Sequence, residues 1–435
     1  MEINNSNDLK ELFQFIETID FKDINSIFLK YRGKSLGFDL NFAMTQVEAR
    51  NKTKKKLASF FKLNPNFLFP SSIAAQQSTH QCVAAFHALL IGKDKNVADL
   101  TAGLGIDALS FALNGNQVTA VELDVTRFNC LEYNIGNLTK QIIDNGGSIV
   151  AVNNNCLDWL RKLNKPTDCI YIDPARRDDA NNRIFKFSDC KPDIISNYNL
   201  LLNCSDTLIV KGSPLLDIKQ TLTDLPLTSK IILTCLNGEC KEVLVISKNR
   251  DTLESQGKVD IYAVDLYDRL DGVAEFKSIW KCTSQDIGKN DPSIIPGDKL
   301  TNMYLYDPNV ALHKLRVGKK ICEDFKGMSQ FGSHTDFFIS ESYYPNFPGR
   351  VFQIKDTIQK KDLKNLKGQN IEVITRNYPL KADEIRKKYL LKSGDNDFII
   401  GFRAGEKNIP TLVLCKKMSP ESQTVSNADI QRLLS

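Results

Sequence analysis

The stretch VADLTAGLGID at residues 97–107 decides the fold of this chain. A short apolar run ends in a turn that holds Gly103 and Gly105, and a helical pattern begins near Ala108. Glycines let the backbone pass close to a ligand and expose N–H groups at the start of the following helix. The stretch therefore predicts a strand, a ligand-binding turn and a helix.

Outward from this stretch, short β-rich runs alternate with helical patterns as far as Lys248. This rhythm predicts an α/β fold with a doubly wound, mostly parallel sheet. The last two runs are joined by Asn237-Gly238-Glu239, which predicts a hairpin that closes the edge of the sheet. The predicted strands are 97–100, 117–121, 148–152, 169–172, 208–210, 231–234 and 242–246.

The remaining residues predict three further parts. Residues 1–92 have apolar residues at helical spacings and form an N-terminal helical domain, and residues 93–250 form the sheet domain. Residues 251–349 combine a turn-rich linker with a small unit. Residues 350–435 alternate strands and helices and predict a small α+β domain.

The composition is that of a soluble globular protein of 435 residues, with 42% apolar and 25% charged residues. No apolar run approaches the ~18–20 residues that cross a bilayer, and the first residues lack a signal-peptide pattern. The 11 cysteines are dispersed without a C-x-x-C pair, and the 4 histidines lack ligand spacing. We therefore expect a cytoplasmic protein with free thiols, no membrane contact and no metal.

The positive charge is concentrated at the C-terminus. Residues 350–435 hold seventeen Lys and Arg against ten Asp and Glu, whereas the whole chain carries only +5. A second basic cluster includes Lys54, Lys55 and Lys56. Such a distribution favours an anionic macromolecular partner, although a solvated basic surface is the alternative.

Ligands of a doubly wound sheet bind at the carboxyl ends of its strands, and Asp99 ends the first one. Its carboxylate would repel a pyrophosphate but would help to hold the ammonium of a methionine moiety. Gly103-x-Gly105-x-x-Ala108 also fits a dinucleotide fingerprint. The alternative is a purely structural role, in which Asp99 caps a helix or forms a turn.

Polar residues follow the next two strands as well. Glu122 lies about twenty residues after the glycines, where an acid accepts hydrogen bonds from a ribose diol of S-adenosylmethionine or NAD. Asp124 is expected to cap the next helix. Asn155 follows the third strand and either meets an adenine amino group or forms a plain turn.

The fourth strand end reads Asp173-Pro174-Ala175-Arg176-Arg177. Asp173 can accept a proton from a substrate nucleophile, and Pro174 stiffens the loop. Arg176 and Arg177 could clamp a phosphate or carboxylate, or form surface ion pairs with the acids at 178 and 179.

These motifs carry a family resemblance. The segment 93–248, with Asp99-x-x-x-Gly103-x-Gly105, Glu122 and Asp173-Pro174-Ala175-Arg176, resembles a class I S-adenosylmethionine-dependent methyltransferase. The stretch RNYPLKADEIRKKY at 376–389 resembles the THUMP-like domain of a bacterial methyltransferase family. That family joins a helical N-terminal part, a Rossmann-like catalytic domain, a small ferredoxin-like domain and a THUMP-like domain, so the resemblance covers nearly the whole chain.

The resemblance implies an enzyme with S-adenosylmethionine as its cofactor. THUMP domains are associated with RNA modification, so it also implies an RNA substrate, tRNA in particular. It leaves the oligomeric state open. The implied catalytic residues are Asp173, Pro174 and Arg176, and the implied cofactor-binding residues are Asp99, Thr101, Gly103, Gly105, Glu122, Leu123, Asn155 and Cys156.

Differences between this sequence and related motifs narrow the kinds of methyl transfer that we expect. An aromatic residue that would stack a target base for adenine-N6 transfer is missing after Pro174. Uridine-C5 methyltransferases use a cysteine near a later strand end, where this chain reads Lys211-Gly212-Ser213-Pro214; Cys235 is the only fallback. Direct attack by a nitrogen or oxygen nucleophile is therefore expected, driven by positioning and by Asp173.

Two other functions fit the same features. The enzyme could methylate a protein or a small molecule, with the basic module acting in assembly. Alternatively, the chain could be a non-catalytic RNA-binding protein with a methyltransferase fold. The segment 76–80 precedes the first strand and is expected to cover the cofactor cleft.

Overall fold

The computed structural model describes residues 6–176, 186–248, 258–269, 274–293, 295, 300–331, 336–405, 407–419 and 426–434. The α-helices are α1 (Ser6–Glu17), α2 (Ile24–Tyr31), α3 (Leu40–Thr53), α4 (Ala58–Leu63), α5 (Ser72–Gln77), α6 (Gln81–Ile91), α7 (Ile106–Leu113), α8 (Val125–Asp144), α9 (Cys156–Leu160), α10 (Tyr198–Asn203), α11 (Ile218–Asp224), α12 (Val310–Leu315), α13 (Gly318–Asp324), α14 (Ala382–Lys388) and α15 (Asn427–Gln431). Among these, none combines the length and apolar character needed to cross a membrane.

The strands form two large sheets and one small ribbon. The first sheet has nine strands in the order β11-β10-β8-β9-β7-β4-β1-β2-β3, and the second has eight in the order β12-β14-β15-β13-β16-β19-β18-β17. The strands are β1 (Asn96–Asp99), β2 (Gln117–Glu122), β3 (Ser148–Asn153), β4 (Thr167–Ile172), β5 (Ala175–Arg176), β6 (Cys190–Lys191), β7 (Ser205–Gly212), β8 (Thr228–Leu236), β9 (Glu239–Lys248), β10 (Asp260–Asp268), β11 (Ala274–Thr283), β12 (Pro292–Ser293), β13 (Tyr304–Pro308), β14 (Ser329–Phe331), β15 (Phe337–Ser340), β16 (Gly349–Ile358), β17 (Asn370–Thr375), β18 (Lys392–Ala404) and β19 (Ile409–Lys417).

The first sheet confirms the predicted α/β fold. Strands β3, β2, β1, β4 and β7 are parallel, and the register places Asp99 opposite Tyr171 of β4 and Ala120 of β2. Central strands such as β1 and β4 are buried on both faces, as their short apolar runs require. The carboxyl ends of the parallel neighbours β1 and β4 therefore lie side by side at the same end of the sheet.

The predicted hairpin exists, but its predicted place at the sheet edge is wrong. Strands β8 and β9 are antiparallel, and Asn237 and Gly238 at the turn between them have positive φ angles of 53° and 81°. Strand β9 lies between β7 and β8, and β8 then pairs with β10. The run from Glu242 to Ile246 is buried throughout, so β9 needs a strand on either side.

Sheet pairing crosses the predicted domain boundary at residue 250, and the domain bounds stay a prediction. Strands β10 and β11 extend the first sheet, whereas β12 to β15 belong to the second sheet together with β16 to β19. The 251–349 segment is thus divided between two sheets. The division at 349 falls inside continuous pairing, because β13 pairs with β16.

The two faces of the first sheet have separate cores. One core packs the helices α4 and α6 of the N-terminal part against the sheet, with Phe67, Phe86 and Phe111 fully buried. The other core includes α10 and α12 and reaches Phe338 and Val351 of the second sheet. The N-terminal helices are consequently one wall of the sheet domain.

The C-terminal helix α15 packs outside the predicted α+β domain of residues 350–435. Helix α15 packs against α6, and Ile430 and Leu433 are buried in the same core as the N-terminal helices. These apolar side chains cover the helix that borders the site described below.

We expect Ile430→Ala to weaken the docking of α15, because a buried isoleucine truncated to alanine costs about 2–5 kcal/mol. Amide hydrogen exchange across residues 427–431 should accelerate by roughly 30-fold or more. Arg432→Ala, at a side chain 75% exposed, should change exchange by less than about threefold. Equal exchange in the wild type and Ile430→Ala would contradict this packing.

Candidate active site

A cavity of about 1070 Å³ opens at the carboxyl ends of β1, β4 and β7. Its walls come from the turn after β1, the loop after β4, the end of β7, the start of β9 and the segment between α5 and α6. All five residues of the segment 76–80 line the cavity, and their role as a cover of the cofactor stays a prediction. The site thus joins residues far apart in the chain.

The turn after β1 has the geometry that its glycines predict. Gly103 and Gly105 have φ angles of 57° and 83°, where side chains are rarely tolerated. A Cβ on Gly105 would lie 2.2 Å from Cδ1 of Leu131, so this glycine lets α8 pack closely. A Cβ on Gly103 would meet nothing nearer than the Thr101 carbonyl oxygen at 3.8 Å. The space beside Gly103 is therefore open to a ligand.

Glu122 ties the second strand to this turn. Its Oε2 accepts a hydrogen bond from Gly103 N and its Oε1 one from Asp124 N, both at 2.8 Å. Asp124 caps α8 as expected, accepting from Arg127 N at 2.8 Å. The carboxylate of Glu122 thus fixes the position of the open turn.

Asp99 lies at the floor of the cavity. Its Oδ1 accepts from Thr101 N at 3.2 Å, and the residue is only 2% exposed. Burial raises the pKa of Asp99 well above its ordinary value, and the nearby carboxylates of Asp107 and Asp173 raise it further. A positively charged group at this floor would favour the ionised form.

A side-chain hydrogen bond joins the loop after β4 to the turn after β1. Thr101 Oγ1 accepts from Asp173 N at 2.8 Å, and Lys211 Nζ donates to Asp173 Oδ2 at 2.7 Å. The Asp173 side chain is 44% exposed toward the cavity, whereas that of Lys211 is 13% exposed. The two predicted strand ends are therefore one site, with a carboxylate held by a buried ammonium.

Behind Lys211 lies a closed ring of polar side chains that the sequence did not single out. Lys211 Nζ donates to Thr79 Oγ1 at 3.0 Å, and Thr79 donates to Asp107. His87 Nδ1 lies 2.8 Å from Asp107 Oδ1, and His87 Nε2 contacts Glu242. Glu242 Oε2 closes the ring 4.0 Å from Lys211 Nζ. All these groups lie at or below the cavity floor.

The ring alternates positive and negative charge. Burial lowers the pKa of His87, but the carboxylates of Glu242 and Asp107 outweigh burial and raise it to about 9. Likewise, burial lowers the pKa of Lys211, but Asp173, Asp107 and Glu242 raise it above its ordinary value. Both groups are therefore cations at neutral pH, and they neutralise the buried acids.

The cavity lies on only part of the predicted cofactor site. It is lined by the predicted cofactor-binding residues Asp99, Thr101, Gly103 and Gly105 and by the predicted catalytic residues Asp173 and Pro174. Glu122, Leu123, Asn155 and Cys156 lie outside this lining, toward the ends of β2 and β3. Asn155 caps α9 by accepting from Leu157 N at 2.9 Å. The roles of these four residues in cofactor binding stay predictions.

The predicted arginine clamp lies at the limit of the described chain. Arg176 contributes backbone to the ribbon of β5 and β6, but its side chain and residues 177–179 lie outside the described residues. Both the clamp and the alternative surface ion pairs stay predictions.

Two thiols bear on the chemistry. Cys190 lines the cavity, although its sequence context did not single it out. Its Sγ donates to Lys186 O at 3.6 Å. The fallback nucleophile Cys235 is fully buried in β8, and hydrogen bonding to Cys240 and burial raise its thiol pKa above the ordinary value. Cys235 is therefore unreactive in this position.

Two arginines of the basic C-terminal segment form ion pairs. Arg386 pairs with Glu372, and Arg376 NH2 donates to Asp307 Oδ1 at 2.7 Å. Tyr378 is half-buried and packs near Gly401. In the part of the chain that the structure describes, no residue from 350 onward lines the cavity. The C-terminal basic residues lie apart from the reaction centre.

His80, Cys82 and Asp268 form a compact group beside the cavity. One ligand-type atom from each lies within 4.8 Å of the others. However, His80 Nδ1 accepts from Cys82 N at 3.2 Å and caps α6, and His80 Nε2 lies 3.5 Å from Asp268. Both ring nitrogens are thus engaged by the helix cap and the carboxylate.

Comparison with known proteins agrees with this fold. Residues 349–417, which run from β16 through β19, match the family described as THUMP domain-like. A crystal structure of a candidate methyltransferase from Porphyromonas gingivalis W83 is 22% identical, and the match covers 95% of this chain and 99% of that chain with a TM-score of 0.78. The chain thus has a Rossmann-like methyltransferase fold with a C-terminal THUMP-like domain.

Other solved structures resemble smaller parts. A candidate class I S-adenosylmethionine-dependent methyltransferase from Listeria monocytogenes is 12% identical, covers 60% of this chain and 93% of that chain, and has a TM-score of 0.33. The tRNA m1G37 methyltransferase of M. jannaschii is 10% identical, covers 39% and 49%, and has a TM-score of 0.26. No curated protein matches the chain significantly in sequence.

We expect the charge of His87 to stabilise the fold in a pH-dependent way. Its folded-state pKa of about 9 lies above the unfolded value of about 6.5, so the stabilisation is complete below pH 6.5 and is lost as the pH rises through 9. The loss amounts to about 3 kcal/mol, measurable from urea unfolding at several pH values. Unfolding free energies that fall equally in the wild type and His87→Gln would contradict a charged His87.

Proposed function

We propose that this chain is an S-adenosylmethionine-dependent methyltransferase that transfers a methyl group to a nitrogen or oxygen of RNA, tRNA in particular. The observation that carries the proposal is the hydrogen bond between Asp173 N and Thr101 Oγ1. It joins the open glycine turn to the acidic loop in one cavity.

The donor set of the cavity suits this cofactor. The buried carboxyl of Asp99 lines the cavity and is suited to an ammonium, and the space beside Gly103 is open. Helix α7 begins at Ile106, so its first N–H groups lack acceptors within the helix and suit a carboxylate. Glu122 lies outside the cavity lining, and each of its oxygens accepts one backbone hydrogen bond and retains a lone pair for a ribose hydroxyl. When bound, the cofactor supplies an electrophilic methyl group.

Asp173 is the group suited to receive the proton of the attacking nucleophile. Its Oδ2 is held by Lys211, and its partly exposed side chain faces the cavity. Pro174 follows directly and lines the same space. We expect Asp173 to orient the nucleophile and accept its proton, with Lys211 and Thr101 keeping the loop in position.

The RNA substrate rests on charge and on the C-terminal domain. Residues 349–417 match a THUMP domain-like family, and residues 350–435 carry a large excess of Lys and Arg. A positively charged domain apart from the cavity can hold a folded polyanion while one nucleotide reaches the reaction centre. The 11 cysteines are free thiols, which supports action in a reducing cytoplasm.

We expect purified protein to bind S-adenosylmethionine in calorimetry and Gly103→Arg to lose that binding, because an arginine would fill the open space of the turn. Comparing the modified nucleosides of cellular RNA with and without the gene by mass spectrometry should reveal one missing methylated nucleoside. Binding of NAD without S-adenosylmethionine would refute the enzyme class.

We expect Asp173→Asn to retain cofactor binding and to lower methyl transfer by about 10²–10⁴-fold, because it removes the proton acceptor. Asp168→Asn is the matched control: it lies at the opposite end of β4 and accepts from Asn96 N at 2.7 Å. Single-turnover transfer of a radiolabelled methyl group measures both variants. Full activity of Asp173→Asn would exclude this role.

A further inference from the structure

Lys56 is a half-buried cation in the wall of the cavity. Its Nζ donates to Gln76 O at 2.6 Å and lies 3.5 Å from Ala75 O. Among the described residues, no carboxylate oxygen lies within 4 Å of this ammonium. Carbonyl oxygens orient the lysine without forming an ion pair with it.

The backbone of Lys56 is anchored where the cavity wall begins. Gln81 N donates to Lys56 O at 3.1 Å, and Gln81 Oε1 accepts from Ser59 N at 2.7 Å and Ser59 Oγ at 2.6 Å. Gln81 is buried at the start of α6. These bonds hold the chain near Lys56 against α6, so its ammonium is presented by the fold.

Three further lysines line the same cavity, Lys186, Lys211 and Lys241. Lys211 is paired with Asp173, and Lys241 pairs with the exposed Glu239. Burial and the charges of Lys211 and Lys241 together lower the pKa of Lys56 to about 8, although the carboxylate of Asp107 acts in the opposite direction. Like charges brought together in a partly buried wall repel one another until an anion lies between them.

The pKa of His80 responds to the same positive charges. Burial lowers its pKa, Asp268 opposes that change, and Lys56 and Lys241 lower the pKa again. His80 also lines the cavity. Lys56 and Lys241 therefore act on one region of the wall, which lies beside the Lys211 that holds Asp173.

We propose that Lys56 and Lys241 form a phosphodiester-binding subsite that holds the backbone of the target nucleotide while its base faces Asp173. The inference deepens the proposed function and rests on it. A polynucleotide brings phosphate and base into the cavity together, which matches a cationic wall beside an acidic reaction centre.

Amine acylation tests the subsite in the intact protein. A low dose of acetic anhydride, followed by mass spectrometry, should acylate Lys56, since its lowered pKa leaves part of the amine neutral. Saturation with a 15-nucleotide single-stranded RNA of mixed sequence should slow Lys56 acylation at least fivefold. Lys95 is exposed at the amino end of β1, away from the cavity, and should be unaffected.

Variants give an independent readout of the same contact. Lys56→Gln and Lys241→Gln should each weaken binding of this RNA several-fold and lower the slope of log affinity against log salt by about 0.7. Lys95→Gln should match the wild type. Calorimetry with S-adenosylmethionine should give equal affinity in all three variants, which shows that the cofactor site is intact.

The outcomes separate the subsite from the proposed function. Unprotected Lys56 at saturating RNA, or unchanged RNA affinity in both variants with intact cofactor binding, would overturn the subsite and leave the methyltransferase proposal standing. Protection by millimolar inorganic phosphate but not by RNA would overturn the phosphodiester in favour of a free anion. Loss of cofactor binding by the wild type would instead refute the proposed function.

Discussion

The ion pair between Lys211 and Asp173 organises the rest of the site. A lysine buried beside three acids is stable only if each charge has a partner, and the ring through Thr79, His87 and Glu242 supplies those partners. Removing one member would leave a buried charge uncompensated. The same arrangement leaves the Asp173 carboxylate partly exposed and fixed in direction at the mouth of the cavity.

The ring also explains why the N-terminal helices belong to the sheet domain. Thr79 and His87 come from the N-terminal part, whereas Lys211 and Glu242 come from β7 and β9. Helix α6 therefore supplies both the apolar packing of one face and part of the polar floor. A cavity assembled from both parts allows the N-terminal segment to carry Lys56 into the wall as well.

Negative and positive charges lie in different regions of the structure. The cavity floor is rich in acids, which suits a cationic cofactor, and its wall carries lysines, which suit a phosphate. The excess positive charge of the C-terminal domain lies apart from the cavity. Two of its arginines are used in ion pairs: Arg386 pairs with Glu372 inside that domain, and Arg376 joins the domain to Asp307 of β13.

Local pattern was sufficient for the strands of the parallel sheet and for the turn. Gly103 and Gly105 need positive φ angles, and the period of the apolar runs distinguishes strands from helices, so both can be read from neighbouring residues. The position of β9, the extension of the sheet by β10 and β11, and the ring around His87 depend on residues distant in sequence. His87 looks like a core residue of an apolar helix until folding places Asp107 and Glu242 on either side of it. The sequence by itself therefore determined the parallel sheet and its ligand turn, whereas only the tertiary structure decided the electrostatics, because pairing between buried charges depends on distances that the chain order does not contain.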